Sequence, residues 1–221
     1  MTLMVGAVLQ DGSAAVLAAD SMTKMATPPG YRLRNKILEF ARGGSPGGVL
    51  ISSPGWVEAP PPFGSLKDVA RGAAILAAQS ASLVAADPNG RLWKHDAQVM
   101  LAGWAWSIPP AAPLVLGHGD QWASRGGASY LGGTAAIWAR ETGQPELVVP
   151  QTMEAAEELC ADIATRTIEW WYREDDCASL DDYLARGMLP PIAPPIHTAT
   201  LRADSYSIER KEWQCLTLSI R

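Results

Sequence analysis

The sequence predicts an α+β fold in which antiparallel sheets and helices occupy separate layers. Three observations predict it. Short apolar runs of strand length come in pairs joined by turn residues, as at 3–9 and 14–19 around Gln10-Asp11-Gly12-Ser13. Helical patterns stand in blocks, at 65–86, 135–141 and 152–173, instead of alternating one by one with strands. The 221-residue chain, 48% hydrophobic and 19% charged, can fill one core without disulfides or a structural metal. No repeat of fixed period occurs, so 1–221 reads as a single domain.

The elements follow in order. Residues 3–9 and 14–19 form a β-turn-β unit, and Thr27-Pro28-Pro29-Gly30 reads as a loop. A strand over 34–40 follows. Gly43-Gly44-Ser45-Pro46-Gly47-Gly48 reads as a turn and 49–53 as a short strand that stops at Pro54-Gly55. Pro60-Pro61-Pro62 forbids a helix, which then starts with Ser65 as N-cap and runs Ala-rich to about 86. Strands are expected at 98–106 and 113–116. Residues 129–134 lead into a helix from Ala135 to about Glu141. The best-defined helix covers 152–173. Met153, Ala156, Leu159, Cys160, Ile163, Ala164, Thr167, Ile168 and Trp171 make its apolar face, with Glu154, Glu157, Glu158, Asp162, Arg166 and Glu169 mostly off it. Residues 180–195, acidic and then proline-rich, read as a surface insertion. Two strands, near 197–203 and 207–220, end the chain.

Composition excludes several functions. Eighteen Lys and Arg against 23 Asp and Glu give a net charge of −5, which disfavours a general nucleic-acid surface. Cys160, Cys177 and Cys215 are too few and too scattered for a disulfide framework or zinc site, and His95, His118 and His197 fit no metal spacing. No metal or cofactor is expected. Nothing reads as a signal peptide or a membrane span, so a cytoplasmic protein is expected. Nine Trp against two Phe carry no functional reading beyond aromatic filling.

Three residues near the N-terminus suggest chemistry when taken together. Thr2 follows Met1, and removal of Met1 exposes a threonine whose hydroxyl can attack while its own α-amine takes the proton. Such an amine has an ordinary pKa of about 7.7–8.0, so it is partly neutral at working pH. Asp20 ends an apolar strand, and Lys36 lies sixteen residues on. A lysine beside the hydroxyl lowers its pKa, and an aspartate holds that lysine in place. Taken singly, Met-Thr is a common start, Asp20 is a strand-end cap and Lys36 an edge-strand charge.

With Asp11-Gly12, Val16-Leu17-Ala18-Ala19-Asp20-Ser21 and Asn35-Lys36-Ile37, these residues resemble the start of a proteasome β-type subunit. That family of N-terminal nucleophile hydrolases also holds the bacterial HslV peptidase and its relative Anbu. Its pattern has a glycine turn ten residues after the threonine and a lysine sixteen after the aspartate, as here. The resemblance continues more weakly. Ser52-Ser53-Pro54-Gly55 is similar to the turn whose glycine amide forms the oxyanion hole, although Pro54 removes a neighbouring N–H. Leu131-Gly132-Gly133-Thr134 resembles the turn that carries a catalytic serine in the family. Here Gly132 or Gly133 stands nearest, with Thr134 one or two places off. Asp176 and Ser179 match an Asp-x-x-Ser element, with Asp175 as competitor and a solvated helix end as the plain alternative.

The resemblance implies a four-layer αββα sandwich of two antiparallel sheets, the N-terminal nucleophile hydrolase fold. It implies a threonine-type peptidase in which Thr2, Asp20, Lys36, Gly55, Thr134, Asp176 and Ser179 do the chemistry. Ser21, Met22, Lys24 and Ser53 would contact the substrate, a peptide or unfolded protein. It further implies a homo-oligomeric ring or stack and allows an ATP-dependent unfoldase as partner. The Ala-rich helix 65–86 fits packing against a neighbouring subunit and the domain's own core equally well. Two alternatives stay open: an inactive scaffold or binding subunit on the same fold, and a hydrolase of small amides.

Overall fold

The first hairpin shows why its strands are apolar at every position and not at every second one. A computed structural model of the chain describes residues 2–25, 30–42, 45–52, 98–104, 114–118, 121–123, 127–144, 147–148, 150–205 and 207–214. Strands β1 (Leu3–Val8) and β2 (Ala14–Ala19) are buried throughout. Alternate side chains enter two different cores. Leu3, Val5, Ala7, Val16 and Ala18 pack against a helix, while Met4, Val8, Leu17 and Ala19 pack with Ile37, Met100 and Ala102 of a second sheet. A strand covered on both faces has no side left for polar residues. The Asp-Gly turn forms as expected. Gly12 takes a φ of 71°, where an L side chain is strained, and Asp11 Oδ1 accepts from Ser13 N at 2.9 Å.

The first sheet has the order β10-β1-β2-β11-β12, with β10 at Ala128–Gly133, β11 at Ile196–Arg202 and β12 at Ser207–Trp213; every neighbouring pair is antiparallel. The second runs β5-β6-β7-β8-β9, through Ile37–Arg42, Ser45–Ser52, Gln98–Trp104, Leu114–His118 and Gln121–Ala123. A separate two-stranded ribbon pairs β3 (Met22–Met25) with β4 (Gly30–Leu33). Helix α1 covers Thr134–Thr142, α2 Met153–Glu174 and α3 Leu180–Ala185. The described residues therefore build a helix layer on a sheet and that sheet on another, an α+β arrangement.

Helix α2 starts where the sequence predicts. Thr152 Oγ1 accepts from Ala155 N at 3.2 Å, and Ala156, Cys160, Ile163, Ala164 and Ile168 enter the core. Glu157 departs from the expectation. It is buried, and its carboxylate accepts from Thr200 Oγ1 and from Lys211 Nζ on the strands beneath, which satisfies the charge.

Three further expectations need correction. Residues 128–133 are a strand and not merely a lead-in to a helix, because β1 supplies a partner along their whole length. Strand β6 begins at Ser45, inside the glycine-rich stretch read as a turn, because pairing with β5 reaches Arg42. Residues 180–195 are not a surface insertion. Tyr183, Ile192 and Ala193 are buried, and Tyr183 and Ile192 join the α2 core. The prolines can lie there because they bring no N–H that needs a partner. The expected helix 65–86 lies outside the described residues.

Candidate active site

Asp20 follows the last residue of β2, at the end of the sheet where β1 begins. Its carboxylate is fully buried and accepts four hydrogen bonds. Oδ1 takes Leu3 N and Lys36 Nζ, each at 2.9 Å, and Oδ2 takes Met22 N and Lys36 Nζ, each at 2.9 Å. A single side chain thus ties the start of β1, the start of β3 and the lysine before β5.

Lys36 is aimed by its neighbours. Asn35 Oδ1 accepts from Ile37 N at 2.8 Å, an Asx turn around Lys36, and the Ile37 side chain is anchored between the sheets. Arg34 N donates to Ser21 O at 3.0 Å, which pins this segment to the end of β2. Lys36 Nζ, clasped by Asp20, also donates to Thr2 Oγ1 at 3.4 Å. Thr2, Asp20 and Lys36 expose 6%, 0% and 8% of their surface, so the three meet almost out of water. Burial lowers the Lys36 pKa from its ordinary 10.5, Asp20 opposes that shift, and Arg34 adds to it. The arrangement places a cation next to a hydroxyl in a medium where its field is weakly screened.

Thr134 borders the same corner. Its backbone N–H donates to Thr2 O at 3.2 Å, extending the β1–β10 ladder by one pair beyond Leu3 and Gly133. Its hydroxyl is fully buried and, among the described residues, has no hydrogen-bond partner. Gly133 has a φ of 58° and gives helix α1 no side-chain cap. A serine there would sit in strained backbone, so Thr134 brings the nearest hydroxyl.

The remaining residues fall into two groups. Ser21 is buried: its N–H donates to Ala193 O at 2.9 Å and its hydroxyl donates to Pro195 O. Met22 is buried as well, and Lys24 is exposed, with Nζ donating to Leu189 O at 3.0 Å. Partial burial lowers the Lys24 pKa; Asp175 opposes this and Lys36 reinforces it, so both charges are near. In the Asp-x-x-Ser element, Ser179 Oγ accepts from Asp182 N at 3.2 Å and caps α3, and Asp176 takes a φ of 52°. Asp175 Oδ2 accepts from Tyr183 Oη at 2.5 Å. No contact of Asp176 or Ser179 with Thr2 is among these bonds. Met1, Ser53 and Gly55 lie outside the described residues.

Sequence reasoning missed Asn35 as the turn that aims Lys36, the Leu189, Ala193 and Pro195 carbonyls, and Arg34. Asn35 carried a signal, an Asx residue two before a bonded N–H. The carbonyls carried none. Among the described residues, no cluster of three His, Cys, Asp or Glu could hold a metal, and no helix is long and apolar enough to cross a membrane.

No family model matches the chain, and no curated protein matches its sequence. Solved structures do share its fold. The Anbu (Gly-1) mutant from Hyphomicrobium sp. strain MC1 is 12% identical with a TM-score of 0.55, over 96% of this chain and 88% of the other. Anbu from the same strain is 11% identical with a TM-score of 0.55, over 95% and 86%. Anbu, titled an ancestral beta-subunit, from Yersinia bercovieri is 15% identical with a TM-score of 0.54, over 95% and 86%. The chain therefore shares the fold of these Anbu structures. At this identity the likeness speaks for the fold, and chemistry has to be argued from the site.

Proposed function

We propose that this chain is a proteasome-like N-terminal nucleophile hydrolase that cleaves peptide amides with Thr2 once Met1 is removed. One observation carries the reading: a buried ammonium, held from both sides by Asp20, donates to the Thr2 hydroxyl. Asp20 also ties the starts of β1 and β3, but a buried ion pair is a weak source of stability, so folding alone does not account for a lysine ammonium on the Thr2 hydroxyl.

The steps use only the protein and water. The α-amine of Thr2 takes the hydroxyl proton through a water, and Oγ1 attacks the amide carbon. Lys36 stabilises the forming alkoxide. The Gly55 N–H receives the oxyanion as the family pattern implies. The ammonium returns its proton to the leaving amine, the C–N bond breaks, and an ester remains on Thr2. A second water, activated by the same amine, hydrolyses the ester. The unpartnered Thr134 hydroxyl suits the first water. Ser179 Oγ accepts from Asp182 N, and a role for its O–H on that water, with Asp176, is what the family pattern implies. Lys24 is the exposed candidate for contacting substrate, Ser21 and Met22 are buried, and the part of Ser53 is what the family pattern implies.

In this reading the whole chain is one domain. The fold is then the four-layer αββα sandwich that the resemblance implies, and copies assemble into a ring or stack. The inactive-scaffold alternative draws on Gly132 and Gly133 where the family has a serine, and on Pro54 beside Gly55. Hydrolysis of a fluorogenic peptide amide panel by purified chain, with Thr2→Ala as control, tests the proposal. Turnover that vanishes in the variant supports it; equal turnover in both removes it.

A further inference from the structure

The end of β2 meets a stretch that cannot pair with it as a strand. Ala19 lies opposite His197 in the β2–β11 register, and that register continued by two residues sets Ser21 opposite Pro195. A proline has no N–H, so the residue facing Ser21 cannot donate to its carbonyl. The ladder stops, and Ser21 bonds to two other segments instead. Its N–H donates to Ala193 O at 2.9 Å, its hydroxyl donates to Pro195 O, and its carbonyl accepts from Arg34 N at 3.0 Å. Ser21 is fully buried, as are Ile192 and Ala193 in the stretch it holds.

Both sides of this hub lead to the Thr2 corner. Asp20 directly precedes Ser21, and each of its carboxylate oxygens accepts from Lys36 Nζ at 2.9 Å. Arg34 stands two residues before Lys36, and the Asx turn at Asn35 follows it directly. The Ser21 main chain therefore borders both partners of the Asp20–Lys36 contact. The bond of its hydroxyl to Pro195 O fixes that main chain against the buried 192–193 stretch. A buried hydroxyl with a carbonyl acceptor holds chain segments together.

We propose that Ser21 is a positioning residue of the Thr2 site: through its bonds to Pro195 O and Arg34 N it holds Asp20 and Lys36 in register with the Thr2 hydroxyl. The inference rests on the reading of Thr2 as nucleophile. It deepens that reading by giving Ser21 the placement of the activating lysine in place of a contact with substrate.

The test makes two measurements on the unaltered chain and on Ser21→Ala. Steady-state hydrolysis of a fluorogenic peptide amide separates kcat from KM. Carbon-13 NMR of chain labelled at the lysine ε-carbons follows the titration of Lys36, identified by the signal missing in Lys36→Met. Thr152→Ala, which removes the N-cap of α2, is the control for a hydroxyl bond lost elsewhere. Ser21→Ala is expected to lower kcat at least about tenfold with KM within about threefold, because a small misplacement of an activating group slows the reaction sharply. Asp20 favours the Lys36 ammonium, so a loosened clasp should let Lys36 lose its proton at lower pH in the variant. Thr152→Ala should change neither readout. An unmoved Lys36 titration overturns the inference, whatever the turnover; so does, in a chain that turns over, an unchanged kcat or a loss confined to KM. A lowered titration in a chain without turnover removes the hydrolase reading and leaves the positioning role standing. Should Ser21→Ala fail to fold, Ser21→Cys keeps a weaker donor on Pro195 O and carries the same readouts with a smaller loss.

Discussion

Two polar regions of this molecule use the same kinds of residue in opposite ways. At the Thr2 corner, the Asp20 carboxylate gathers two groups from distant segments, Leu3 N and Lys36 Nζ, besides Met22 N from its own. Around 175–186, the polar groups satisfy their own segment. Ser179 caps α3, Asp182 Oδ2 accepts from Ala178 N at 2.8 Å, Asp175 holds Tyr183, and Arg186 donates to Asp176 O at 2.6 Å. The first pattern joins segments far apart in the chain and places a cation against a hydroxyl. The second is what an ordinary short helix needs at its start. Convergence of polar groups from distant chain segments is the better sign of a site than polar composition.

The largest expected effect separates the regions by rate. Thr2→Ala and Lys36→Met should each lower kcat/KM for a peptide amide by at least about 10³-fold, since nucleophile and activator act as a unit. The check is steady-state hydrolysis with a trace-contamination control. Asp175→Asn, in the other region, should leave the rate within about tenfold, the range of a charge that acts only from a distance.

Stability gives the next contrast. Asp20→Ala strands the Lys36 ammonium and two backbone N–H groups in the interior, and should cost about 3–5 kcal/mol in urea unfolding. Asp175→Asn keeps an acceptor for Tyr183 and should cost about 1 kcal/mol. Equal costs would erase the distinction between the regions.

The pH profile tests the electrostatics of the corner. Ammonium is the working form of Lys36, so activity should fall as rising pH removes its proton. Burial places that fall below the ordinary lysine value of 10.5. Asp20 favours the charged form, so Asp20→Asn should move the alkaline limb further down. An unmoved limb would assign it to another group.

The smallest effect concerns Ser179. Replacement by Ala should lower stability by about 1 kcal/mol through the lost cap. It should also lower kcat by a smaller factor than Lys36→Met if its O–H orders water near Thr2. A stability loss without any change in kcat would confine Ser179 to capping.

How much was legible follows from where information sits in the chain. The Thr2, Asp20 and Lys36 spacing was readable because strand length and hairpin register fix which residues reach the end of a sheet. Helix α2 was readable from its period and its Thr152 cap. Strand β10 was not, since Gly132 and Gly133 are turn residues by preference and only pairing with β1 makes the segment extended. The ribbon β3–β4 escaped notice because it lacks the alternation of a half-buried strand. The stretch 180–195 looked solvated by composition, yet Tyr183 and Ile192 go inward and the carbonyls of Ala193 and Pro195 take the donors of Ser21. Such long-range bonds leave no local trace.

The central claim is that Thr2 acts with a free amine and a hydroxyl activated by Lys36. Its most direct test is the intact mass of the purified chain before and after exposure to an electrophile that traps N-terminal threonine. The account predicts a chain without Met1 that gains a single adduct on Thr2, slowed strongly in Lys36→Met and absent in Thr2→Ala. A retained Met1, or an adduct that persists when Thr2 is replaced, would contradict it.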